Sequence, residues 1–160
     1  MNYGYGGDRI EHLLYRLQYQ CIPKYVWLVI VHIGTNNMKY DSEEKIAAGI
    51  HQVCTIINKF RDDVDIIVSG ILPRADISVK KVKRINRKLH DIFQGKRAAI
   101  IRTTYMKPKI NDWTVLGKAG HLHPHPDLFQ RDGIHLTAAG YDILVPYIQE
   151  VSLTLLMEEC

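Results

Sequence analysis

The chain has 160 residues, of which 46% are hydrophobic, 24% charged and 9% aromatic, a composition typical of one ordinary globular domain. Twenty-one Lys and Arg against seventeen Asp and Glu give a formal net charge of +4, which predicts no nucleic-acid partner unless the charge is concentrated on one surface. The longest apolar run, residues 26–33, has the length of a strand, far short of the ~20 residues that span a membrane. We therefore expect neither a disordered chain, nor a disulfide scaffold, nor a transmembrane protein.

The three cysteines, Cys21, Cys54 and Cys160, are an odd number and show no C-x-x-C spacing. We expect reduced, structural thiols, which are typical of a reducing compartment such as the cytoplasm.

The amino-terminal part of the chain predicts a helix followed by a strand. Apolar residues recur at helical spacing from Arg9 onward and predict a helix of about two to three turns; they are Ile10, Leu13, Leu14 and Leu17. Residues 26–31 are continuously apolar, without alternation. Such a strand is typical of a parallel sheet that is covered on both faces by helices.

The middle of the chain predicts a second helix, a second strand and a third helix. Asp41, followed three residues later by Glu44, resembles a capping box at a helix start, and an apolar stripe follows at Ile46, Ile50, Val53 and Ile57. Residues 64–72 predict another buried strand. Residues 79–93 predict a helix with an apolar face at Val79, Val82, Leu89, Ile92 and Phe93.

This third helix also carries the one concentrated group of charges in the chain. Its six basic residues are Lys80, Lys81, Lys83, Arg84, Arg87 and Lys88. No aromatic residues lie between them, as base stacking would need, so we expect a solvated face. An anion-binding surface is the alternative, and nucleic acid is not the expected partner.

The carboxyl-terminal part predicts a short strand, a long loop and a last helix. Residues 98–102 predict the strand, and about 30 residues without a clear period follow, a length that usually carries function. Thr137 is the expected N-cap of a helix with apolar positions at Tyr141, Leu144, Val145, Ile148, Val151 and Leu155. This element order predicts a single α/β domain with parallel strands and helices on both faces, and in such sheets the chemistry lies at the carboxyl ends of the strands.

Two segments with chemically useful side chains fall at those positions. Gly34-Thr35-Asn36-Asn37 follows the first strand, and Asp132-Gly133-Ile134-His135 precedes the last helix. A carboxylate three residues before a histidine can orient the ring and leave its other nitrogen free as a general base. The Asn36 amide is a suitable oxyanion donor. The alternatives are an ordinary turn and a helix-capping histidine.

Together these segments resemble a known family. The turn over residues 2–8, Gly34-Thr35-Asn36-Asn37 and Asp132-x-x-His135 are similar, in this order, to the second, third and fifth sequence blocks of SGNH (GDSL-type) hydrolases. The likeness is greatest to the esterase domains that include the platelet-activating-factor acetylhydrolase catalytic subunits. It extends over essentially the whole chain.

The resemblance implies a fold, a reaction and a set of roles. The fold would be a flavodoxin-like three-layer α/β/α sandwich with five parallel strands. The reaction would be hydrolysis of short-chain or acetyl esters through an acyl-serine, with a small-molecule ester as substrate and no cofactor. His135 would be the general base and Asp132 its orienting partner, while the Asn36 side chain and the Gly7 backbone N–H would be oxyanion donors.

Three further residues are candidates for substrate contact. Gly34 lies where a substrate would approach the turn, and Trp113 and Phe129 in the long loop would line an acyl pocket. For the two aromatic residues, anchoring the loop to the core is the alternative. Three alternating histidines in the same loop, His121, His123 and His125, lack an accompanying Cys or Glu, so we expect a rim loop over the site and no metal.

The first block of the family, a strand that ends in Gly-Asp-Ser and supplies the nucleophile, has no counterpart in this sequence. The chain has four serines, Ser42, Ser69, Ser78 and Ser152. Only Ser69 falls near the carboxyl end of a strand, and no motif places a base beside it. We expect an amino-terminally truncated esterase domain over residues 1–160 that lacks its first strand, is inactive by itself and can oligomerise through an exposed sheet edge. A non-catalytic relic or binding domain is the alternative.

Overall fold

A computed structural model describes residues 2–94, 103–117 and 120–158. The helices and strands are α1 (Ile10–Leu17), β1 (Leu28–Val31), α2 (Glu43–Phe60), β2 (Asp65–Ser69), α3 (Val79–Phe93), β3 (Thr103–Met106), β4 (Thr114–Leu116), β5 (Leu122–Pro124) and α4 (Ala138–Glu158). Two 3₁₀ turns, Thr35–Asn37 and Ile110–Trp113, follow β1 and precede β4.

Strands β1, β2 and β3 form a parallel sheet in that order, with α2 and α3 as the connections. Leu28 pairs with Asp65 across β1 and β2, and Ile66 pairs with Thr103 across β2 and β3. The prediction of an α/β fold with a parallel sheet is therefore confirmed. The described residues supply three of the five strands that the resemblance implies.

The core lies between this sheet and three adjacent helices. All five residues of β2 are buried, α1 and α3 both pack against α2, and the predicted apolar stripe of α2 is buried throughout. Each fully buried aliphatic side chain contributes about 1.5–3 kcal/mol relative to its exposed state. Burial of these periodic stripes is what holds the helices on the sheet.

The start of α2 differs from the prediction. Ser42, and not Asp41, is the N-cap, and its hydroxyl accepts a hydrogen bond from the backbone N–H of Lys45. The predicted capping box is wrong because its two carboxylates have other partners. Asp41 binds Lys45, and Glu44 pairs with Lys88 of α3 at 2.7 Å.

Burial of β1 on both faces is also a wrong prediction. Within the described residues β1 is an edge of the sheet, and Ile30 is 45% exposed. Only Val31 of this strand is fully buried. The run is apolar throughout because both faces of this strand are suited to burial, but the described residues bury only one face.

The third strand and the long loop are partly different from the expectation. The predicted strand at residues 98–102 lies outside the described residues, and β3 begins at Thr103. The segment expected to be aperiodic contains an antiparallel hairpin, in which β4 pairs with β5. Strands of three residues are too short for a period of two to be recognised in a sequence.

The last helix begins as predicted, but fewer residues of its apolar stripe are buried than predicted. The Thr137 hydroxyl accepts a hydrogen bond from the Gly140 backbone N–H, which identifies it as the N-cap. Tyr141 and Val145 of the predicted apolar stripe are exposed. In the part of the chain that the structure describes, no helix combines the length and apolarity needed to cross a membrane.

Candidate active site

The structure places Asp132 and His135 in direct contact just before α4. Asp132 Oδ2 lies 2.6 Å from His135 Nδ1, while Oδ1 accepts the backbone N–H groups of Ile134 and His135 at 2.8 and 3.0 Å. The hydrogen bond from His135, followed by the two backbone donors, lowers the pKa of Asp132 to about 2. The carboxylate is therefore ionised at neutral pH, and the 72%-exposed His135 side chain leaves its Nε2 open to solvent.

The short loop that carries the pair is fixed to the connection between β2 and α3. Gly133 has φ of +62°, and a Cβ at this position would lie 2.5 Å from the Cβ of Ala75, so only glycine fits here. The backbone N–H of Ala75 donates to the Gly133 carbonyl at 2.9 Å. The loop conformation that brings Asp132 and His135 together is thus set by close backbone packing.

Arg74 connects this loop to the turn that carries Asn36. The buried Arg74 guanidinium donates to the Thr35 carbonyl at 2.9 Å and binds the Asp76 carboxylate. Arg74, and then Lys39, hold the pKa of Asp76 far below its ordinary value. Arg74 has no local sequence signal, because its role depends on contact with a residue 39 positions away.

The turn that carries Asn36 contacts the amino-terminal turn that carries Gly7. The Asn36 Nδ2 donates to the Asp8 carbonyl at 2.9 Å, directly after Gly7. An amide nitrogen has two hydrogens, so one stays available to a ligand. Gly7 lies in an exposed turn with φ of +76°, and Arg16 of α1 anchors this turn through Asp8 at 2.8 Å and the Tyr5 ring at 4.6 Å.

The second asparagine of the motif has a structural role. Asn37 is buried, its Oδ1 accepts the Ile10 backbone N–H at 2.9 Å, and its Nδ2 donates to Glu11 and Asp41. These bonds join the start of α1 to the turn after β1. Gly34, at the start of the same turn, backs onto the side chains of Ile46, Ile50 and Ile71.

The two aromatic candidates for an acyl pocket pack against each other. Trp113 and Phe129 are both buried, with ring centroids 6.1 Å apart in an edge-on arrangement, and they form a second core cluster with Leu128 and Leu136. Phe129 also lines a cavity of about 510 Å³ beside Gly133. This geometry favours the anchoring alternative for Trp113, while Phe129 stays adjacent to the loop of the Asp132–His135 pair.

Ser69 has a histidine partner that the sequence did not indicate. Its Oγ lies 3.0 Å from Nδ1 of His32, across neighbouring strands at their carboxyl ends. Ser69 is only 2% exposed, so an ester cannot reach its hydroxyl, and the pair fits a structural tie between β1 and β2.

The other three serines are occupied elsewhere. Ser42 and Ser78 cap α2 and α3, and the Ser152 hydroxyl donates to the Ile148 carbonyl within α4. None of the four serines is bonded to His135. Among the described residues, His, Cys, Asp and Glu side chains form no group of three or more that could hold a metal ion.

Known proteins with similar sequences are subunits of platelet-activating factor acetylhydrolase IB. The chain is 30% identical over 162 residues to the human platelet-activating factor acetylhydrolase IB subunit alpha2 and 26% identical over 168 residues to the rat subunit alpha1. Each alignment covers 99% of this chain and 66% of the relative, so the chain spans slightly less than two thirds of the length of these curated relatives. Comparison with protein-family models finds no match.

Solved structures agree on the fold. A GDSL-like lipase from Bacteroides thetaiotaomicron superposes with a TM-score of 0.70 at 20% identity, covering 91% of this chain and 71% of the lipase. An acetyl esterase superposes with a TM-score of 0.75 at 15% identity, covering 98% of this chain and 72% of the esterase. The chain is a homologue of the platelet-activating factor acetylhydrolase alpha subunits and has the fold of SGNH (GDSL-type) esterases.

Proposed function

We propose that the chain is the base-bearing and oxyanion-binding part of a single SGNH-type esterase domain that hydrolyses short-chain or acetyl carboxylic esters. The observation that carries the proposal is the 2.6 Å contact between Asp132 and the Nδ1 of an exposed His135. The likeness to acetylhydrolase subunits and esterase structures supports the substrate class.

In the proposed mechanism His135 is the general base. Donation from Nδ1–H to Asp132 fixes the tautomer in which Nε2 carries the free lone pair, and the ionised Asp132 stabilises the imidazolium that forms when Nε2 takes a proton. The free hydrogen of the Asn36 amide and the Gly7 backbone N–H would stabilise the negative oxygen of the tetrahedral intermediate. Arg74 and Ala75 would hold these two groups in position relative to each other.

The nucleophile is the one part that these 160 residues do not supply. No serine is bonded to His135, and in a well-studied serine protease removal of the nucleophile costs ~10⁶-fold in turnover. The proposal therefore includes a Gly-Asp-Ser strand beside β1 in the complete enzyme. It also states that the 160 residues alone have no His135-dependent turnover.

The test compares the chain with a version that carries an added amino-terminal strand ending in Gly-Asp-Ser. We expect the unmodified chain to hydrolyse p-nitrophenyl acetate at the background rate. The extended chain should gain turnover that either His135→Ala or replacement of the added serine by Ala abolishes. The matched control is His51→Ala in the extended chain, because His51 lies on α2, and this variant should keep the activity.

Two results would contradict the proposal. Rapid turnover by the unmodified chain, lost in His135→Ala, would show that the 160 residues hold their own nucleophile. A folded extended chain, verified by its circular dichroism and thermal transition, that shows no turnover would refute the esterase assignment.

The second candidate function is a non-catalytic relic or binding domain. It is favoured by the occupation of all four serines in caps, helix bonds and the His32 contact. An inactive extended chain would support this candidate.

A further inference from the structure

We propose that a groove between α3 and residues 107–112 binds a small ligand that carries a di- or triphosphate-type group. This site involves neither Asp132 nor His135 and does not depend on the proposed esterase function. It rests on the distribution of the basic residues of α3, because three of them are bonded on the α2 side while Lys83 and Arg87 line the groove without an ion pair to any described residue.

One row of α3 cations faces α2 and is already neutralised or bonded. Arg84 pairs with Glu43 at 2.7 Å, and Lys88 pairs with Glu44 at 2.7 Å. Lys81 Nζ donates to the carbonyls of Met38 and Asp41 at 2.7 and 2.8 Å. Arg84 and Lys88 join α3 to α2, Lys81 joins α3 to the segment before α2, and all three therefore already have partners.

The other row faces the segment that follows β3. Lys83, Arg87 and His90 recur at intervals of four and three residues, which places them on one face of α3, and all three line a groove of about 580 Å³. Lys107 and Lys109 line its opposite wall, and Asp112 is the one carboxylate in the lining. A volume of this size is typical of small-ligand sites.

Among the described residues, the lysine and arginine side chains of the groove have no carboxylate partner. Of the four lysine and arginine side chains in the lining, none forms an ion pair with any described residue, and all four are exposed. His90 Nδ1 lies 3.7 Å from a carboxylate oxygen of Asp91. Mutual repulsion between neighbouring cations is relieved by an anion, so the arrangement favours a ligand with several negative charges in a compact group.

Packing beneath the groove fixes the positions of its walls. A Cβ on Gly70 would lie 2.3 Å from Pro108 Cδ, so the segment with Lys107 and Lys109 approaches the end of β2 as closely as only a glycine allows. The Tyr105 hydroxyl donates to Asn86 at 3.1 Å, and the Asn86 amide also bonds both backbone groups of Ile71. The residues beneath the groove are therefore held in place, and their polar groups are already hydrogen-bonded. Selection of the ligand is left to the charged side chains along the two walls of the groove.

A compact phosphate ligand fits this groove better than a nucleic-acid strand. Single-stranded nucleic acids are bound by grooves in which aromatic side chains stack on the bases. The lining contains no Phe, Tyr or Trp, and its apolar members are Pro108 and Ile110. We therefore commit to an oligophosphate group, for which sodium tripolyphosphate is the probe.

The experiment measures tripolyphosphate binding to the full chain by isothermal titration calorimetry at low and at moderate salt. We expect saturable binding that weakens with added salt, and a loss of at least about tenfold in affinity for Arg87→Glu and for Lys109→Glu, since each places a negative charge beside the anion. Lys59→Glu is the matched control, because it makes the same charge change on an exposed lysine of α2, away from the groove. It should bind like the unmodified chain.

Each other outcome overturns the proposal. Equal weakening by Lys59→Glu and Arg87→Glu would show attraction by net charge alone, and no binding would refute the site. A further arm uses a single-stranded oligonucleotide and phosphatidylserine vesicles. If either binds through Arg87 and Lys109 while tripolyphosphate does not, the groove recognises a nucleic acid or a lipid surface and the small-ligand assignment is wrong. Thermal melting verifies that the variants are folded.

Discussion

The two longest helices of the molecule, α2 and α4, differ in how much of their apolar surface is covered. The 18-residue α2 buries six residues between the sheet and its neighbouring helices. The 21-residue α4 is the more apolar in sequence, yet Leu153 is 59% exposed and Met157 is exposed too. How much of a helix is buried therefore depends on which elements pack against it, and an apolar composition alone does not bury it.

The candidate catalytic pair lies directly before the poorly covered helix α4. Asp132 and His135 immediately precede α4, and their loop is fixed through Gly133 and Ala75 to the well-packed part of the chain. The pair can thus keep its geometry even where α4 is poorly covered. In the same way, the α2–α3 ion pairs hold α3, which carries one wall of the groove between α3 and residues 107–112, against α2.

The largest expected difference between the two helices is in stability. Ile50→Ala in α2 should lower the free energy of unfolding by about 2–5 kcal/mol, because it leaves a cavity in a core that cannot collapse fully. Leu153→Ala in α4 should change it by no more than about 0.5 kcal/mol. Chemical denaturation followed by circular dichroism measures both. Equal losses in the free energy of unfolding would mean that Leu153 is as buried in solution as Ile50, and the difference between α2 and α4 would then be wrong.

A smaller effect separates two adjacent asparagines. Asn37→Ala should cost about 1–3 kcal/mol, because it leaves the buried Ile10 backbone N–H without its acceptor. Asn36→Ala should change stability less, since its side chain forms one bond at the surface of the turn, and in the extended, active chain it should reduce turnover instead. Urea denaturation and p-nitrophenyl acetate assays distinguish the two roles. If Asn36→Ala lowered stability more than Asn37→Ala, and Asn37→Ala reduced turnover more, then Asn37 would be the functional residue and Asn36 the structural one.

The sequence predicts α1, α2, α3 and the start of α4 well because each has an apolar stripe or a capping side chain that is visible locally. The spacing of Asp132 and His135 also suffices, since both belong to one short loop. Arg74 and the His32–Ser69 pair could not be predicted. Their contacts join residues 39 and 37 positions apart and depend on strand register and on the path of the β2–α3 connection.

The two rows of cations on α3 illustrate the same limit. Residue spacing places all six basic side chains off the apolar face, and the expectation of a solvated face follows from that alone. Which of them pair with α2 depends on how the two helices cross, and this is known only from the structure. Arg84 and Lys88 pair with α2 and Lys81 bonds to a carbonyl before it, although the Arg84 side chain stays 54% exposed.

At the sheet edge we predict a moderate effect on association. β1 is an unpaired edge within the described residues and exposes Ile30, a situation that promotes pairing with another chain. Sedimentation velocity over a concentration series should detect dimers, and Ile30→Lys should raise their dissociation constant at least about tenfold, or ~1.4 kcal/mol. Leu116→Lys, which introduces the same charge at an exposed position of β4, is the control. Identical effects of the two substitutions, or a chain that is monomeric throughout, would contradict association through β1.

The smallest predicted effect is confined to the Asp132 carboxyl. Its pKa of about 2 lies below the ordinary 3.8, chiefly because of the hydrogen bond from His135. The ionised form is thus favoured in the folded state, so this contribution to stability is present above pH ~4 and is lost as the pH falls towards 2. Carbon-detected NMR titration should show the Asp132 pKa rising towards 3.8 in His135→Ala. The rise should be incomplete because the Ile134 and His135 backbone N–H groups still donate to Oδ1. An unchanged pKa would mean that the loop backbone, and not the imidazole, holds the carboxylate, and the proposed orienting role of Asp132 would then fail.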